Sequence, residues 1–373
     1  ISTVRVKKMR EIYFISWVSY LFNVYRCVKL PNLDRLAMNF YVSFTTNYAI
    51  FDVQLICMKD IQLIINRSEI TAGTRGASLG PDAVMTAARK KGNLFFGKYR
   101  MVELQDVNYL LDSPIKFDTA KRIEGLLDVF HYVSDSVSSC IEQNKFPLVL
   151  ASDHGSAGGT IAGIQKAHPN KRLGVIWIDA HGDLHTPYTT PSGNMHGMPL
   201  ATALREDNLE SKSNEPNEKV VALWEELKNF GSDGARFSAE DLVFIAVRDT
   251  EEQEDAIMDR LNITNHKVED IRSEGAKAIL DKTLNQLTEC DIIYVSFDVD
   301  SMDPEVTSHG TGTPVDNGLN VEEAHFFLTE LAKNEKLACM EFVEVNPCLD
   351  EKINTMAELT FDLLEAVANE IDK

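Results

Sequence analysis

Residues 173–183 read "LGVIWIDAHGD". The first six are apolar or glycine, and the run stops abruptly at an aspartate. A short uninterrupted apolar run marks a strand buried on both faces, as in parallel sheets covered by helices on each side; a strand with one wet face would alternate. If the chain stays extended beyond Ile178, then Asp179, His181 and Asp183 recur at period two and project to one side. The loop continues "LHTPYTTPSGNMHG" to residue 197, adding His185, Ser192, Asn194 and His196 but no lysine, arginine or cysteine. A polar turn whose acids cap the next helix is the competing reading of Asp-x-His-x-Asp alone.

Two further segments weaken that alternative. Residues 290–304, "CDIIYVSFDVDSMDP", form another apolar run that ends in Asp298 and Asp300, and residues 146–155, "FPLVLASDHG", end in Asp153 and His154. Parallel strands carrying acids at their carboxyl ends aim them into one crevice, where open α/β sheets bind ligands. Such carboxylates repel one another unless a cation neutralises them. The candidate ligands are His154, Asp179, His181, Asp183, Asp298 and Asp300. Four carboxylates and two imidazoles exceed the three protein ligands of a catalytic zinc and suit two divalent ions with shared carboxylates. An oxygen-rich set with a little imidazole and no thiolate favours Mn²⁺, so two Mn²⁺ per chain are expected.

Around these segments, strands and helices alternate. Strands are predicted at residues 146–151, 173–178, 242–247, 292–297 and 337–343. A helix is predicted through residues 120–143, where Ile123, Leu126, Leu127, Phe130, Val133, Val137 and Ile141 recur at spacings of three and four. The pattern predicts an α/β fold, a three-layer αβα arrangement around a mostly parallel sheet. Residues 206–219, "EDNLESKSNEPNEK", read as a surface loop.

Composition excludes some functions. The chain has 373 residues, 44% of them hydrophobic, and a net charge of −20, which argues against nucleic acid or an anionic membrane as the main partner. Cys27, Cys57, Cys140, Cys290, Cys339 and Cys348 show no metal-binding or CxxC spacing and read as reduced thiols of a cytoplasmic protein, with Cys140 and Cys290 in the core. Residues 1–57 differ from the remainder: seven Lys and Arg face three Asp and Glu there, and they hold 11 of the 31 aromatics. Their run "IYFISWVSYLFNVY" has the look of a signal-peptide core but lacks a small-residue cleavage site and is short for a membrane span. Residues 1–57 are therefore taken as an atypical extension and residues 58–373 as the catalytic domain, with Met58 near its start.

The blocks "DAHGD" (179–183), "SGNMHG" (192–197), "SFDVDSMDP" (296–304), "GTGTP" (310–314) and "EVNP" (344–347), preceded by "GTRGASLGPDAV" (73–84), resemble the ureohydrolases, and arginases most closely. That resemblance implies the same fold, two Mn²⁺ ions, and hydrolysis of L-arginine to L-ornithine and urea by attack of a metal-bridging hydroxide. It also implies a homo-oligomer, a trimer or hexamer. By the same token Asp183 serves the metals and the catalysis, His196 is the proton shuttle, and Glu344 pairs with the guanidinium, with Thr313 nearby. Ser192 and Asn194 would hold the substrate α-carboxylate, a pair that agmatinases lack, and Glu251 the α-amino group. His185 stands where arginases usually have asparagine and could donate one hydrogen bond to the carboxylate. The family's "GGDHS" reads "ASDHG" at 151–155, and a left-handed Ser152 would cost about 1 kcal/mol and tilt His154. Another guanidino hydrolase such as an agmatinase, or a catalytically silent relative, are the alternatives.

Overall fold

Along residues 173–178 the side chains of Leu173, Val175 and Trp177 enter one apolar cluster, and those of Ile176 and Ile178 enter another. The same alternation holds for Ile292 and Tyr294 against Ile293, Val295 and Phe297. Each strand thus feeds two cores, which is why these runs contain no polar face.

The computed structural model describes residues 36–45, 48–57, 60–232 and 234–373. The chain falls into two units, residues 1–58 and 59–373. In the first, β1 (Leu36–Thr45) pairs antiparallel with β2 (Tyr48–Cys57). The aromatic run that resembles a signal-peptide core lies outside the described residues.

The second unit contains β3 (Asp60–Asn66), β4 (Arg100–Glu103), β5 (Lys145–Ala151), β6 (Leu173–Ile178), β7 (Leu242–Ile245), β8 (Thr264–His266), β9 (Ile292–Asp298) and β10 (Leu337–Val343). They form one sheet in the order β4-β3-β5-β10-β9-β6-β7-β8, with every pairing parallel. Helices Gly80–Lys90, Ala276–Gln286, Val321–Ala332 and Thr355–Ile371 bury their apolar residues in one core. Helices Ile123–Glu142, Ala157–Ala167, Pro199–Leu204 and Glu218–Lys228 bury theirs in the other. This is the expected three-layer αβα fold. Cys140 and Cys290 are buried, as expected, and Cys339 joins them.

The strand predicted at 242–247 stops at Ile245, because Ala246 turns into the left-handed region at φ 73°. Strands β3, β4 and β8 were not foreseen. Within the sheet, β10 is the last strand of the chain yet lies between β5 and β9. The carboxyl ends of β5, β10, β9 and β6 therefore stand side by side, at the edge where the candidate ligands occur. No helix among the described residues is long and apolar enough to cross a membrane.

Candidate active site

The chain does not stay extended after β6. The Asp179 carboxylate accepts the His181 N–H at 2.7 Å, folding the backbone into a turn, and Asp183 adopts φ 51°. The period-two projection expected of Asp179, His181 and Asp183 is thus replaced by a turn, and the turn brings their side chains together. His154 Nδ1 lies 3.1 Å from Asp179, 3.2 Å from Asp183 and 3.2 Å from Asp298. His181 Nδ1 lies 3.1 Å from Asp300 and 3.5 Å from the other oxygen of Asp179. Asp179 is therefore common to two groups of potential ligands, His154–Asp179–Asp183 and Asp179–His181–Asp300.

The orientation of His154 is fixed from behind. Its Nε2 lies 2.7 Å from Ser296 Oγ, and its ring stacks on Trp177 at 4.0 Å and 3°. Nδ1 consequently faces the three carboxylates, yet neither it nor Asp179 Oδ2 has a hydrogen-bond partner although both are buried. Burial, reinforced by the charge of Asp179, holds the Asp183 carboxyl well above the usual carboxylate range; burial and the charges of Asp300 and Asp179 do the same for Asp298. Burial opposes charge on His154 and His181, but the surrounding acids outweigh it and raise both. A buried cluster of four carboxylates, with an orphaned imidazole nitrogen at its centre, fits divalent cations.

Ser152 does not strain this arrangement. It is absent from the left-handed residues of the described chain, and its N–H and hydroxyl both donate to the Asn66 carbonyl, at 3.0 and 3.1 Å. The left-handed strain that would tilt His154 is therefore absent. Gly155 packs so that a Cβ would meet Thr71 Oγ1 at 2.4 Å.

Glu344, just past β10, reaches over the cluster with a left-handed backbone at φ 68°. Its carboxylate accepts the His154 N–H at 2.9 Å and lies 3.7 Å from His196 Nδ1. Burial opposes protonation of His196, but the contact and charge of Glu344, with Asp183 and Asp153, raise its pKa. Thr313 Oγ1 donates to Asp300 Oδ2 at 3.1 Å, so the threonine hydroxyl is tied to a candidate ligand. These groups line one cavity of about 280 Å³, together with Ser192, Asn194, His185, Glu251 and Glu254.

At the exposed Ser192, Oγ accepts the Asn194 N–H at 3.1 Å. His185 is occupied on both ring nitrogens, with Nε2 2.9 Å from Glu251 and Nδ1 3.2 Å from Thr189 Oγ1. That contact holds the Glu251 carboxyl down at about 2.

The model of the arginase family matches residues 60–368. The arginase of Bacillus subtilis is 32% identical over 309 residues, covering 83% of this chain and 97% of the relative. Its crystal structure superposes with a TM-score of 0.67 over 83% of this chain and 98% of that one. The chain belongs to the arginase family. A crystal structure of the Entamoeba histolytica arginase in complex with L-ornithine is 25% identical, with a TM-score of 0.68, and covers 82% of this chain and 98% of that one.

The structure of this arginase-family protein also brings in residues that the motifs do not mark. Glu254, nearly fully buried, is pushed up to about 7 by burial while lying 3.6 Å from His185. Its carboxylate accepts the Leu184 N–H at 3.0 Å. Asp153, which stands within "ASDHG" without a role of its own, is pushed to about 7 by burial and by Glu344, and accepts the Thr71 N–H at 2.9 Å. Arg248 threads beneath the site, donating to the carbonyls of Ala246, Asp300, Ser301, Val315 and Asp316. Glu254 had a legible signal: it stands three residues after Glu251, the spacing of a capping box, and the two side chains do cap the helix Glu252–Leu261.

Proposed function

We propose that the protein is an arginase, hydrolysing L-arginine to L-ornithine and urea with two Mn²⁺ ions held by His154, Asp179, His181, Asp183, Asp298 and Asp300. The observation that carries this reading is the pairing, in one cavity, of the orphaned His154 Nδ1 amid three carboxylates with the Ser192–Asn194 rim. Divalent cations bound there would supply Lewis acidity and water that loses its proton near neutrality.

The chain's own residues do the rest. Glu344 offers a carboxylate to the cationic guanidinium and sets its carbon over the ligand cluster by a charge-assisted pair. His196, beside Glu344 and biased toward its protonated form, is the donor for the departing amine. The Ser192 hydroxyl and the Asn194 amide face the α-carboxylate. Glu251, with Glu254 behind it, faces the α-amino group, and its contact with His185 keeps it ionised. The related arginase solved with L-ornithine supports an amino acid product of this kind.

The test is urea release from L-arginine and from agmatine by the Mn²⁺-loaded protein, with metal counted in the same sample. Preference for L-arginine with close to two ions per chain is expected, and Asp300→Asn should lose metal and activity together. Absence of urea from L-arginine in fully loaded protein would refute the reading.

A further inference from the structure

The rim loop 192–194 is held by a segment far from it in sequence. The Lys121 N–H donates to the Gly193 carbonyl at 2.8 Å, and Gly193, at φ 75°, lies so close to Asp118 that a Cβ would stand 1.7 Å from the Asp118 carbonyl oxygen. The two segments are thus locked face to face. From this lock the half-buried Lys121 side chain extends its ammonium to Asn194 Oδ1, at 3.1 Å. No ion pair joins that ammonium to a carboxylate among the described residues. In a protein of net charge −20 with an acidic cavity floor, this ammonium adds positive charge at the rim.

The contact also decides which way the Asn194 amide points. An asparagine amide has one accepting end and one donating end. With Oδ1 taken by Lys121, Nδ2 is turned toward Gly73, where a Cβ would meet it at 2.8 Å; both residues line the cavity. Ser192 Oγ already accepts the Asn194 N–H, so its own hydrogen is free to donate. Ser192 and Asn194 therefore each present a donor, which suits a carboxylate. A flipped amide would present an oxygen and repel it.

We propose that Lys121, which does not itself line the cavity, is a positioning residue that sets substrate choice: by orienting Asn194 and adding positive charge, it selects guanidino compounds that carry a carboxylate over their decarboxylated counterparts. The inference rests on the reading that Ser192 and Asn194 face the substrate carboxylate.

The test compares L-ornithine with putrescine, which differ only by the carboxylate, by calorimetry on the full-length Mn²⁺-loaded wild type, Lys121→Met and Lys121→Arg. Lys121→Met should weaken L-ornithine by about tenfold, the scale of one lost charge-assisted interaction, and leave putrescine unchanged. Lys121→Arg, which keeps the charge and a donor, should recover most of the loss. In turnover, KM for L-arginine should rise by a similar factor with kcat held within about twofold, which general loosening of the site would not produce. Unchanged L-ornithine affinity in Lys121→Met, an equal loss for putrescine, or a wild type that binds both ligands alike would overturn the proposal. Wild type that releases no urea but loses L-ornithine selectivity in Lys121→Met would sink the arginase reading and leave Lys121 in its role.

Discussion

Replacing His196 with alanine removes a proton donor but no candidate ligand, so turnover should fall by roughly 10²-fold to 10⁴-fold while Mn²⁺ content and KM hold. Glu344→Gln should behave differently. Its amide oxygen can still accept the His154 N–H, preserving the metal site, but the guanidinium loses its counter-charge, so KM should rise as kcat falls. Steady-state kinetics with metal analysis separate the two. The raised carboxyls of Asp183 and Asp298 give a pH dependence with a fixed sign. The cation-free cluster keeps protons to higher pH than ordinary acids do, and cations must displace them. Mn²⁺ affinity should therefore strengthen as pH rises, by up to about tenfold per unit for each proton released, and a flat profile in metal titrations would count against the ligand set. At this scale the sequence was legible where chemistry follows a strand end: His154, Asp179, Asp298 and Glu344 all sit just past or at the last residue of a buried run. Lys121 was not legible, because its role comes from a contact with a loop more than 70 residues away that no local spacing records.

Arg248 ties the end of β7 to the segments after β9 through four backbone carbonyls, and holds the Ala246 carbonyl of its own segment as well. Arg248→Met would strand several of these acceptors, so a loss of about 2–4 kcal/mol in denaturant unfolding is expected, with weaker Mn²⁺ binding because Asp300 loses its backbone anchor. Arg248→Lys should fall between, since one ammonium cannot span the same carbonyls. Elements were readable in proportion to their burial. Strands β5, β6, β9 and β10 are almost wholly buried and announce themselves as apolar runs. β4 is a four-residue edge strand, mostly exposed, and β8 is "TNH", so neither carries a hydrophobic signal. β3, "DIQLIIN", is buried but follows directly on the unusual first 57 residues, whose composition masked it. The turn after β6 reads as extended in the sequence because a side-chain contact, Asp179 to the His181 N–H, ends the strand, and hydropathy does not report such contacts.

Across the whole molecule, the family match begins at residue 60 and the second unit at residue 59. We propose that residues 58–373 suffice for catalysis, and a chain starting at Met58 should fold and retain Mn²⁺-dependent urea release; failure to fold would show that the preceding segment supports the core. The three-layer fold was readable because every central strand is buried on both faces, whereas the strand order was not, since hydropathy says nothing about neighbours. That order has a kinetic consequence. β10 is synthesised last and inserts between β5 and β9, so His154 and Asp298 have no shared wall until residues 337–343 are in place. The group that includes His154 cannot hold metal during early collapse, so the two-metal site is completed late. Stopped-flow experiments should find that Mn²⁺ slows unfolding and leaves the refolding rate unchanged, as for a ligand whose contacts are absent from the transition state. On the ribosome, until that strand emerges, the nascent chain holds His154 on one side of a gap and the other five candidate ligands on the other.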